Sequence, residues 1–334
     1  MEEFNDKTVL ITGATGLIGS NLVDKLMQSN VKKLIVTSRK KSKLESTFYD
    51  YLYDNRFVII EHDASTPYPD SINDVDFIFH AAGPMERNIV MAYPVNVILP
   101  NITGTINALD FLRKQKTETG RDGRAIIFSS VAVYNNPTMD DLVVVEDETN
   151  YAQTLDVSTA CYSESKRMSE VIAKSYVKQY DVDVVIARLS TVYGPTRNIP
   201  DTAFYEFIRK AVEGLDITVN TSNTPKRDNI FVEDAVDGIL TVALKGIKSE
   251  SYNISSNGEL GNYLAIDEIA EQIIMIATTN DKKMVVNHLK PSSKVSRKPG
   301  LKLSNEKLKA LGWSVKISHE EGIKRTIAYF KNMK

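Results

Sequence analysis

The sequence predicts an α/β fold in which a doubly wound parallel sheet carries helices on both faces and is accompanied by a smaller, discontinuous C-terminal lobe. Three observations lead to this prediction. Short β-branched runs alternate with amphipathic stretches as far as Ser190, a glycine-rich turn follows the first run, and the alternation loosens beyond Ser190. Strands that alternate with helices build βαβ units, whose parallel strands are buried on both faces.

Six apolar runs are predicted strands, at residues 8–12, 33–38, 57–63, 75–82, 125–130 and 182–190. Amphipathic patterns at 19–30, 101–115 and 163–180 predict the helices between them. A helical pattern at 232–246 resembles this first part, whereas 191–201 and 218–229 are rich in turn-forming and polar residues. We therefore divide the chain into a first lobe of residues 1–190 plus about 229–250, and a second lobe of residues 191–228 plus 251–334.

The composition is that of a soluble globular protein and argues against several classes of partner. Hydrophobic residues make up 42% of the chain, and 41 basic and 43 acidic residues leave a net charge of −2. This balance predicts neither a nucleic-acid surface nor a polybasic membrane patch. The N-terminus lacks a secretory signal pattern, no apolar run suits a membrane span, and the single cysteine, Cys161, excludes an intrachain disulfide. We expect a cytoplasmic protein.

The glycine-rich turn is the first candidate binding site. The segment "ITGATGLIGS" places Gly13, Gly16 and Gly19 between the first predicted strand and the first predicted helix. Glycines at this junction permit a tight turn, close approach of a diphosphate to the backbone, and close packing of helix on strand. The helix N-terminus then offers free N–H groups to the phosphates. The turn therefore predicts a dinucleotide site, although a plain glycine-rich turn has the same composition.

The end of the second predicted strand bears on the choice of dinucleotide. In dinucleotide folds this position carries an acid for a free ribose 2′-hydroxyl or an arginine for a 2′-phosphate. Here the segment reads "TSRKK", with Ser38 and Arg39 at the strand end and no carboxylate before Glu45. Ser38 can donate a hydrogen bond, and Arg39 can pair with a phosphate. These residues favour NADP, with NAD as the alternative, although a solvated basic strand end would look the same.

A second candidate site lies in "CYSESK" (161–166). Tyr162 and Lys166 are four residues apart, so their side chains share one face of a helix. A nearby ammonium group favours the phenolate and lowers the pKa of a tyrosine from about 10 toward the working range. The pair therefore suits proton transfer, although an isolated match of this kind also fits an ordinary solvated helical face.

In their order and spacing, the motifs of this chain resemble those of the extended short-chain dehydrogenase/reductase family, in particular its NAD(P)-dependent nucleotide-sugar epimerase/dehydratase branch. They are "TGATGLIG" (12–19), Asp63 after the third strand, "HAAGP" (80–84), "NITGT" (101–105), "FSSVAVY" (128–134), "YSESK" (162–166), "RLSTVYGP" (188–195), "RDNIFVEDAVDG" (227–238) and "LGW" (311–313). The resemblance runs nearly end to end. It implies a Rossmann-type first lobe that binds NADP or NAD, a second lobe that binds a nucleotide-diphosphate sugar, and a homodimer formed through the helices near 101–115 and 163–180.

The resemblance implies a catalytic trio of Tyr162, Lys166 and Ser130. Hydride transfer between a sugar carbinol and nicotinamide needs a base for the hydroxyl proton, and Tyr162 beside Lys166 fits that role. Ser130 would hold the reacting oxygen against the phenol. All three residues are present, which argues against the alternative of a catalytically silent, cofactor-binding regulator.

The resemblance also assigns binding roles. Asp63 would contact the adenine unless it caps a turn, the alanines of "HAAGP" would line the coenzyme channel unless they are core, and Asn101 would support the site unless it is a helix N-cap. The expected coenzyme contacts are Gly13, Thr15, Gly16, Leu17, Ile18, Gly19, Ser38, Arg39, Asp63, Ala64, Ala81, Ala82, Gly83, Asn101, Ser129, Tyr162 and Lys166. The expected substrate contacts are Ser130, Thr191 and Arg227, of which Arg227 would grip the diphosphate unless it forms a surface ion pair. No metal site is expected.

The residues after Ser130 reduce the number of reactions that the chain is expected to catalyse. The family's 4,6-dehydratases carry acidic residues here and its decarboxylases usually carry a glutamate, whereas this chain has Val131 and Ala132. Neither side chain can move a proton, so we do not expect dehydration. We expect a C4 epimerase, because epimerases are the commoner members of the branch that the chain resembles, ahead of an NADPH-dependent reductase of 4-keto sugars, which "TSRKK" favours. The segment "CYSESKRMSE" (161–170) is similar to the decarboxylase subgroup, which keeps decarboxylation as a third alternative. Two departures in the second lobe, Thr191 for the usual asparagine and "TSNTPK" (221–226) for a glycine-rich turn, leave the base and the sugar open.

Overall fold

The computed structural model describes most of the 334-residue chain. The described residues are 2–84, 87–134, 142–148, 155, 159–219, 224–278, 284–288 and 299–333.

A seven-stranded sheet, parallel throughout, forms the centre of the first lobe. Its strands are β1 (Thr8–Thr12), β2 (Lys33–Ser38), β3 (Phe57–Glu61), β4 (Phe77–His80), β5 (Arg124–Ser130), β7 (Asp183–Leu189) and β11 (Ser251–Ile254). Their spatial order is β3-β2-β1-β4-β5-β7-β11. The order reverses between β1 and β4, and ligands of doubly wound sheets bind at the carboxyl ends of the strands beside such a reversal.

Helices cover both faces of this sheet. On one face, α1 (Leu17–Met27) and α7 (Val232–Lys245) bury their apolar residues against alternate residues of β1 and β2 such as Val9 and Ile11. On the other face, α4 (Pro94–Thr119) and α5 (Ala160–Tyr180) pack against the intervening residues, among them Leu10 and Ile78. Because successive side chains of a strand point to opposite faces, the continuous β-branched runs supply both cores at once.

The second lobe is built from short strands and three longer helices. One sheet contains β6 (Leu142–Val144), β8 (Thr191–Tyr193), β10 (Arg227–Phe231), β12 (Tyr263–Leu264) and β14 (Leu301–Leu303), and a strand pair joins β9 (Ile217–Val219) to β13 (Val286–His288). The helices α6 (Ala203–Glu213), α8 (Ile266–Ala277) and α10 (His319–Asn332) share a separate apolar core. The short helices are α2 (Lys41–Thr47), α3 (Arg87–Ala92) and α9 (Glu306–Lys309).

The predicted fold class is confirmed, with two differences in detail. Helix α4 begins at Pro94 rather than at residue 101 and contains Pro100. Proline is favourable at the first helical position, whereas Pro100 lies beyond the first turn, where it cannot donate a hydrogen bond to the carbonyl four residues earlier. Strand β11 was not predicted; it pairs with β7, so the sheet of the first lobe reaches Ile254 rather than ending near residue 250. The remaining division into lobes stays a prediction. Among the described helices, none combines the length and apolar character needed to cross a membrane.

Candidate active site

The glycine turn lies at the reversal of strand order. Gly13 follows β1 with φ at +67°, and a Cβ atom there would lie 2.7 Å from the Ala81 carbonyl oxygen, which follows β4. Only glycine combines this left-handed backbone with so close an approach of the two strand ends. The turn therefore brings the predicted contacts Gly13, Ala81 and Ala82 together, and both alanines are half-buried rather than in the core.

The glycine turn leads directly into the first turn of α1. Gly16 occupies the N-cap position with extended backbone and no side-chain cap. The N–H groups of the first helical turn, beginning at Leu17 and Ile18, have no acceptors within a helix. An exposed Gly16 leaves the backbone open to a ligand at this point. These features fit the diphosphate of a dinucleotide, for which Gly16, Leu17 and Ile18 would supply the cradle.

The ends of β2 and β3 bring a carboxylate beside the predicted ribose site. Ser38 is half-buried and Arg39 is exposed, as expected for ligand contacts. Ser38 lies opposite Glu61 in the parallel register, and a Glu61 carboxylate oxygen accepts a 2.7 Å hydrogen bond from the Lys41 backbone N–H. The sequence analysis did not predict an acid near Ser38, because Glu61 comes from the neighbouring strand and not from the segment after β2.

Asp63, the predicted adenine contact, caps a turn. Its carboxylate accepts a 2.9 Å hydrogen bond from the Ser65 N–H, and its carbonyl accepts one from Thr66. The turn alternative is therefore present in the structure. The side chain is also exposed at the carboxyl edge of the sheet beside the buried Ala64, so the adenine role stays a prediction.

Ser130 and Tyr162 meet at the end of β5. The Ser130 side chain is buried, and its hydroxyl hydrogen-bonds the Tyr162 phenol. Burial raises the pKa of Tyr162, whereas the hydrogen bond from Ser130 lowers it, and the net direction is upward. The phenol is thus protonated at neutral pH, and a cationic environment has to lower its pKa before it can act as a base.

Lys166 supplies a cation one turn along α5. Its ammonium nitrogen lies 6.0 Å from the centre of the Tyr162 ring and donates a 2.7 Å hydrogen bond to the Phe128 carbonyl. Only 7% of the residue is exposed. Burial lowers the pKa of Lys166 to about 8, opposed by the charge of Glu170. The amine therefore stays mainly protonated at neutral pH and keeps its charge beside the phenol.

Asn101 lies inside α4 rather than at its N-cap, so that alternative is wrong. Its amide donates a 2.9 Å hydrogen bond to the Ser165 hydroxyl, which ties α4 to α5. The Asn101 Oδ1 atom is buried without a protein partner among the described residues. A Cβ atom on Gly83 would lie 2.5 Å from this oxygen and 3.4 Å from the Lys166 nitrogen. Gly83 therefore lets the strand end approach both groups.

A buried histidine, not predicted from the sequence, links the glycine turn to α4. His80 Nε2 lies 3.1 Å from the Pro100 carbonyl, and Nδ1 lies 2.9 Å from the Thr12 hydroxyl. Because a carbonyl only accepts, Nε2 carries the proton and Nδ1 accepts from Thr12. Burial and the charge of Lys166 lower the pKa of His80 to about 4, so it is neutral. The Thr12 oxygen also accepts from the Ala82 N–H at 3.2 Å.

Ser129 is directed away from the coenzyme side, toward a buried ion pair. Its hydroxyl donates a 2.5 Å hydrogen bond to Glu170, which forms two hydrogen bonds with Arg188 at 2.9 and 2.7 Å. This network joins β5, α5 and β7 next to Ser130 and Lys166. The Ser129 side chain thus holds the site from behind, and a coenzyme contact through this hydroxyl is not what the structure indicates.

The residues next to Ser130 are apolar, as the sequence required. The Ala132 N–H donates a 3.2 Å hydrogen bond to the Ser130 hydroxyl, which orients the serine. Val131 and Ala132 are both half-buried in the short turn that follows β5. No cluster of three metal-binding side chains occurs in the part of the chain that the structure describes.

The predicted substrate residues begin two strands of the second lobe. Ser130 lies opposite Leu189 at the end of β7, two positions before Thr191. Thr191 then pairs with Asn229, close to the exposed Arg227 at the start of β10. The neighbouring Asp228 is buried and accepts hydrogen bonds from the Ser256 hydroxyl and the Leu303 N–H at 2.6 and 2.9 Å. It fixes the strand that presents Arg227.

Comparison with protein families gives a match over most of the chain. Residues 9–255 match the NAD dependent epimerase/dehydratase family. UDP-glucuronic acid decarboxylase 6 of Arabidopsis thaliana is 30% identical over 94% of this chain and 86% of its own length. UDP-glucuronic acid decarboxylase 1 of Xenopus tropicalis is 28% identical over 99% of this chain and 74% of its own length.

Solved structures resemble the chain over almost its full length. The UDP-glucose 4-epimerase of Thermotoga maritima, solved with UDP-glucose, has a TM-score of 0.77 at 22% identity and covers 98% of this chain and 99% of its own. The enzyme WbmF of Bordetella bronchiseptica, solved with NAD+ and UDP, has a TM-score of 0.74 at 23% identity, with 99% and 93% coverage. At these identities the likeness concerns the fold.

Proposed function

The chain belongs to the NAD-dependent epimerase/dehydratase family, and from this premise we propose that it oxidises and re-reduces C4 of a nucleotide-diphosphate sugar, acting as a C4 epimerase. The observation that carries the proposal is the hydrogen bond between Ser130 and Tyr162, with the Lys166 ammonium 6.0 Å from the phenol ring. The trio lies at the carboxyl edge of the parallel sheet, beside the diphosphate loop.

The protein side chains divide the proton chemistry between them. A bound nicotinamide coenzyme, held by the glycine turn and the strand ends, would take up and return the hydride. Ser130 would hold the sugar hydroxyl by a hydrogen bond, and Tyr162 would remove its proton and later give it back. Lys166 would lower the pKa of the phenol by its charge, against the upward effect of burial. In an epimerase the coenzyme leaves this cycle unchanged.

We propose NADP as the coenzyme, with Arg39 as the contact for the ribose phosphate. The exposed guanidinium at the end of β2 supports this choice. The carboxylate of Glu61, which lies opposite Ser38 in the sheet, works in the other direction because it would repel a 2′-phosphate. The relatives solved with NAD+ make NAD the alternative.

Decarboxylation is the second candidate reaction. It is supported by the identity to UDP-glucuronic acid decarboxylases and opposed by Val131 and Ala132, where decarboxylases usually carry a glutamate. A third candidate, net reduction of a 4-keto sugar by NADPH, is supported by Arg39. Elimination of water lacks an acid at this segment and is not proposed.

Incubation with a panel of sugar nucleotides separates these reactions. The panel would contain UDP-glucose, UDP-galactose, UDP-glucuronic acid and a dTDP-4-keto sugar, each with and without NADPH, with products identified by NMR. A C4 epimer formed without net coenzyme consumption supports the proposal. A UDP-pentose with release of carbon dioxide, or a 4-hydroxy sugar formed only with NADPH, would replace it by the second or the third candidate.

We further propose that the chain forms a homodimer through α4 and α5. The two helices pack against each other, and they expose Val95, Leu99, Met168 and Val171, with exposed fractions of 60%, 45%, 46% and 56%. Val95 and Leu99 are four residues apart on α4, and Met168 and Val171 are three apart on α5, so each pair lies on one face of its helix. Exposed apolar side chains grouped in this way are typical of a protein–protein contact. A second copy of the same helix pair would cover them.

A further inference from the structure

The segment that leads from β8 into the second lobe is fastened to the coenzyme side of the first lobe. We propose that Arg197 and Asn198 in this segment are positioning residues for the coenzyme, because they fix the peptide that precedes α1 and so hold the diphosphate loop in its binding conformation. The inference rests on the proposed nicotinamide coenzyme. It concerns residues for which neither the sequence motifs nor the strand ends gave a role.

Arg197 anchors the segment. Its guanidinium donates hydrogen bonds to the Asp24 carboxylate on α1, the shortest at 2.8 Å, and to the Asp50 carboxylate at 2.7 and 2.8 Å. It also donates to the Thr47 carbonyl at 3.0 Å. The guanidinium carbon lies 5.5 Å from the ring centre of Phe48 and 5.3 Å from that of Tyr51, near enough for cation–π attraction.

The anchoring is too extensive for an ordinary surface ion pair. The Arg197 side chain is 18% exposed and pairs with two carboxylates that flank it. Planar, two-fold pairing of this kind is specific to arginine and determines geometry as well as charge. The backbone joins in, since the Asn21 amide of α1 donates a 3.0 Å hydrogen bond to the Pro195 carbonyl. The segment is therefore held in one position relative to α1.

Asn198 connects this anchored segment to the diphosphate loop. Its side-chain amide donates a 3.0 Å hydrogen bond to the Thr15 carbonyl and another of 3.0 Å to the Thr47 hydroxyl. The same peptide is bound on its other side, because the Gly16 N–H donates to the Gly13 carbonyl at 3.1 Å. The Thr15–Gly16 peptide plane is thus fixed at both ends.

The orientation of this peptide matters for anion binding. Gly16 has no side chain to restrain its backbone, so the Thr15–Gly16 peptide could rotate if it were held only from within the loop. Rotation would direct the Thr15 carbonyl oxygen toward the diphosphate, and its partial negative charge would repel the phosphates. Asn198 keeps that carbonyl occupied and directed toward the second lobe. A donor from the substrate-binding lobe therefore stabilises the coenzyme-binding conformation of the first.

Coenzyme affinity of four variants tests the inference. Dissociation constants for NADPH and NADH would be measured by fluorescence titration after removal of copurified coenzyme, with thermal unfolding followed in parallel.

Each variant removes a defined contact. Asn198→Ala removes the donor to the Thr15 carbonyl. Thr47→Val removes the other partner of the Asn198 amide, together with the 2.6 Å hydrogen bond from the Thr47 hydroxyl to the Lys43 carbonyl, and leaves the contact with Thr15 in place. Arg197→Met, combined with Asp24→Asn and Asp50→Asn, removes the anchor without leaving unpaired carboxylates. Arg325→Met is the control, because Arg325 on α10 likewise pairs with two carboxylates, Glu233 and Glu321, but does not belong to the segment after β8.

The expected result is a selective loss of coenzyme affinity. One neutral hydrogen bond corresponds to about 2- to 10-fold in a dissociation constant, so we expect an increase of this size for Asn198→Ala and at least as large an increase for the Arg197 combination. Thr47→Val and Arg325→Met should bind as the unchanged protein does. Equal affinity of Asn198→Ala and the unchanged protein, or an equal loss in Thr47→Val, overturns the inference. If the unchanged protein binds neither NADPH nor NADH, the proposed function itself fails, and the inference with it.

Discussion

The ammonium group of Lys166 lies 6.0 Å from the centre of the Tyr162 ring and is fixed there by the Phe128 carbonyl. Two different side chains thus supply the group that would exchange the proton and the positive charge beside it. The phenol hydrogen-bonds Ser130 and would exchange a proton with the sugar hydroxyl that Ser130 holds, while the buried amine keeps a charge close to it. Burial acts on both groups in the direction that favours their neutral forms: Glu170 opposes this effect on the amine, and the charge of the amine would oppose it on the phenol.

Replacing Tyr162 by phenylalanine should abolish turnover and leave coenzyme binding nearly unchanged. The substitution removes only the oxygen that exchanges the proton, and loss of a general acid–base group costs about 100- to 10,000-fold in rate. Product formation under saturating substrate is the measurement. Tyr176→Phe, on the same helix, removes the same atom from a tyrosine outside the site and should keep full activity. Turnover that persists in Tyr162→Phe would show that another group is the acid–base catalyst.

Ser130 should influence the pH at which the enzyme works. Its hydrogen bond lowers the pKa of Tyr162, so Ser130→Ala should move the acidic limb of the rate profile for sugar oxidation to higher pH as well as lowering the rate. Ser130→Thr keeps a hydroxyl and should keep the position of that limb. Profiles of kcat/KM against pH for the three proteins check this. An unchanged limb in Ser130→Ala would mean that the serine has no influence on the phenol.

The buried amine of Lys166 should leave a pH signature in stability. Its folded pKa, about 8, lies below the ordinary value of 10.5, so the unfolded chain binds more protons between these two values. The free energy of unfolding contributed by this group therefore rises as the pH rises from 8 to 10.5. Lys166→Met lacks this group. The free energy of unfolding of the variant minus that of the unchanged protein should therefore be larger at pH 7 than at pH 10.5, by on the order of 3 kcal/mol.

Urea unfolding at several pH values measures this difference. Apart from Tyr162, which lies beside Lys166, the other lysines and tyrosines titrate equally in both proteins and cancel in the comparison. Lys174→Met, an exposed lysine on the same helix, is the control and should show no such trend. Parallel stability curves for Lys166→Met and the unchanged protein would contradict the lowered pKa.

Coenzyme preference should depend on two opposing charges at the ends of β2 and β3. Arg39→Ala should weaken binding of NADP+ and leave NAD+ nearly unaffected, because the arginine is proposed to pair with the 2′-phosphate. Glu61→Gln should strengthen binding of NADP+, since it removes a negative charge while keeping an acceptor for the Lys41 N–H. Calorimetric titration with both coenzymes measures the ratio. An Arg39→Ala variant with unchanged preference would leave Arg39 as a solvated strand end.

The local patterns of the sequence predicted the sheet, and the family resemblance implied that Tyr162, Lys166 and Ser130 act together, but neither predicted the contacts that couple distant segments. Six strands were evident because their β-branched runs must be buried on both faces of a parallel sheet. The seventh, β11, is the short segment "SYNI" (251–254), which carries two polar side chains and no such run. Arg197 pairs with Asp24 across 173 positions, and Glu61 reaches the Ser38 position only through strand pairing. Tertiary contacts of this kind have no periodicity to reveal them.

Glutamate at positions 168 and 171 should separate the proposed dimer. Two charges on the exposed apolar face of α5 would oppose close packing of a second copy, since burying an unpaired charge is costly. Sedimentation velocity of Met168→Glu/Val171→Glu should therefore show a monomer. Ile247→Glu, at an exposed apolar residue outside α4 and α5, should leave the dimer intact. A monomeric unchanged protein, or a dimeric double variant, would exclude this face as the interface.

Gly104 should be one of the least replaceable residues of α4, for a reason that lies in the neighbouring strand. A Cβ atom there would lie 2.7 Å from Cε1 and 3.0 Å from Nε2 of His80. The ring cannot move aside without losing its hydrogen bonds to Thr12 and Pro100, which join the glycine turn to α4. Overpacking of this kind costs about 1 to 3 kcal/mol of stability, whereas glycine to alanine inside a helix ordinarily gains about 1 kcal/mol.

Urea unfolding of Gly104→Ala should show the loss of stability. The control is Gly238→Ala in α7, where the nearest neighbours of a Cβ atom are side-chain atoms 3.3 to 3.4 Å away. This variant should show little change or a gain. If both variants change the free energy of unfolding by the same amount, helix propensity determines the effect at Gly104, and the close approach of His80 does not restrict the residue.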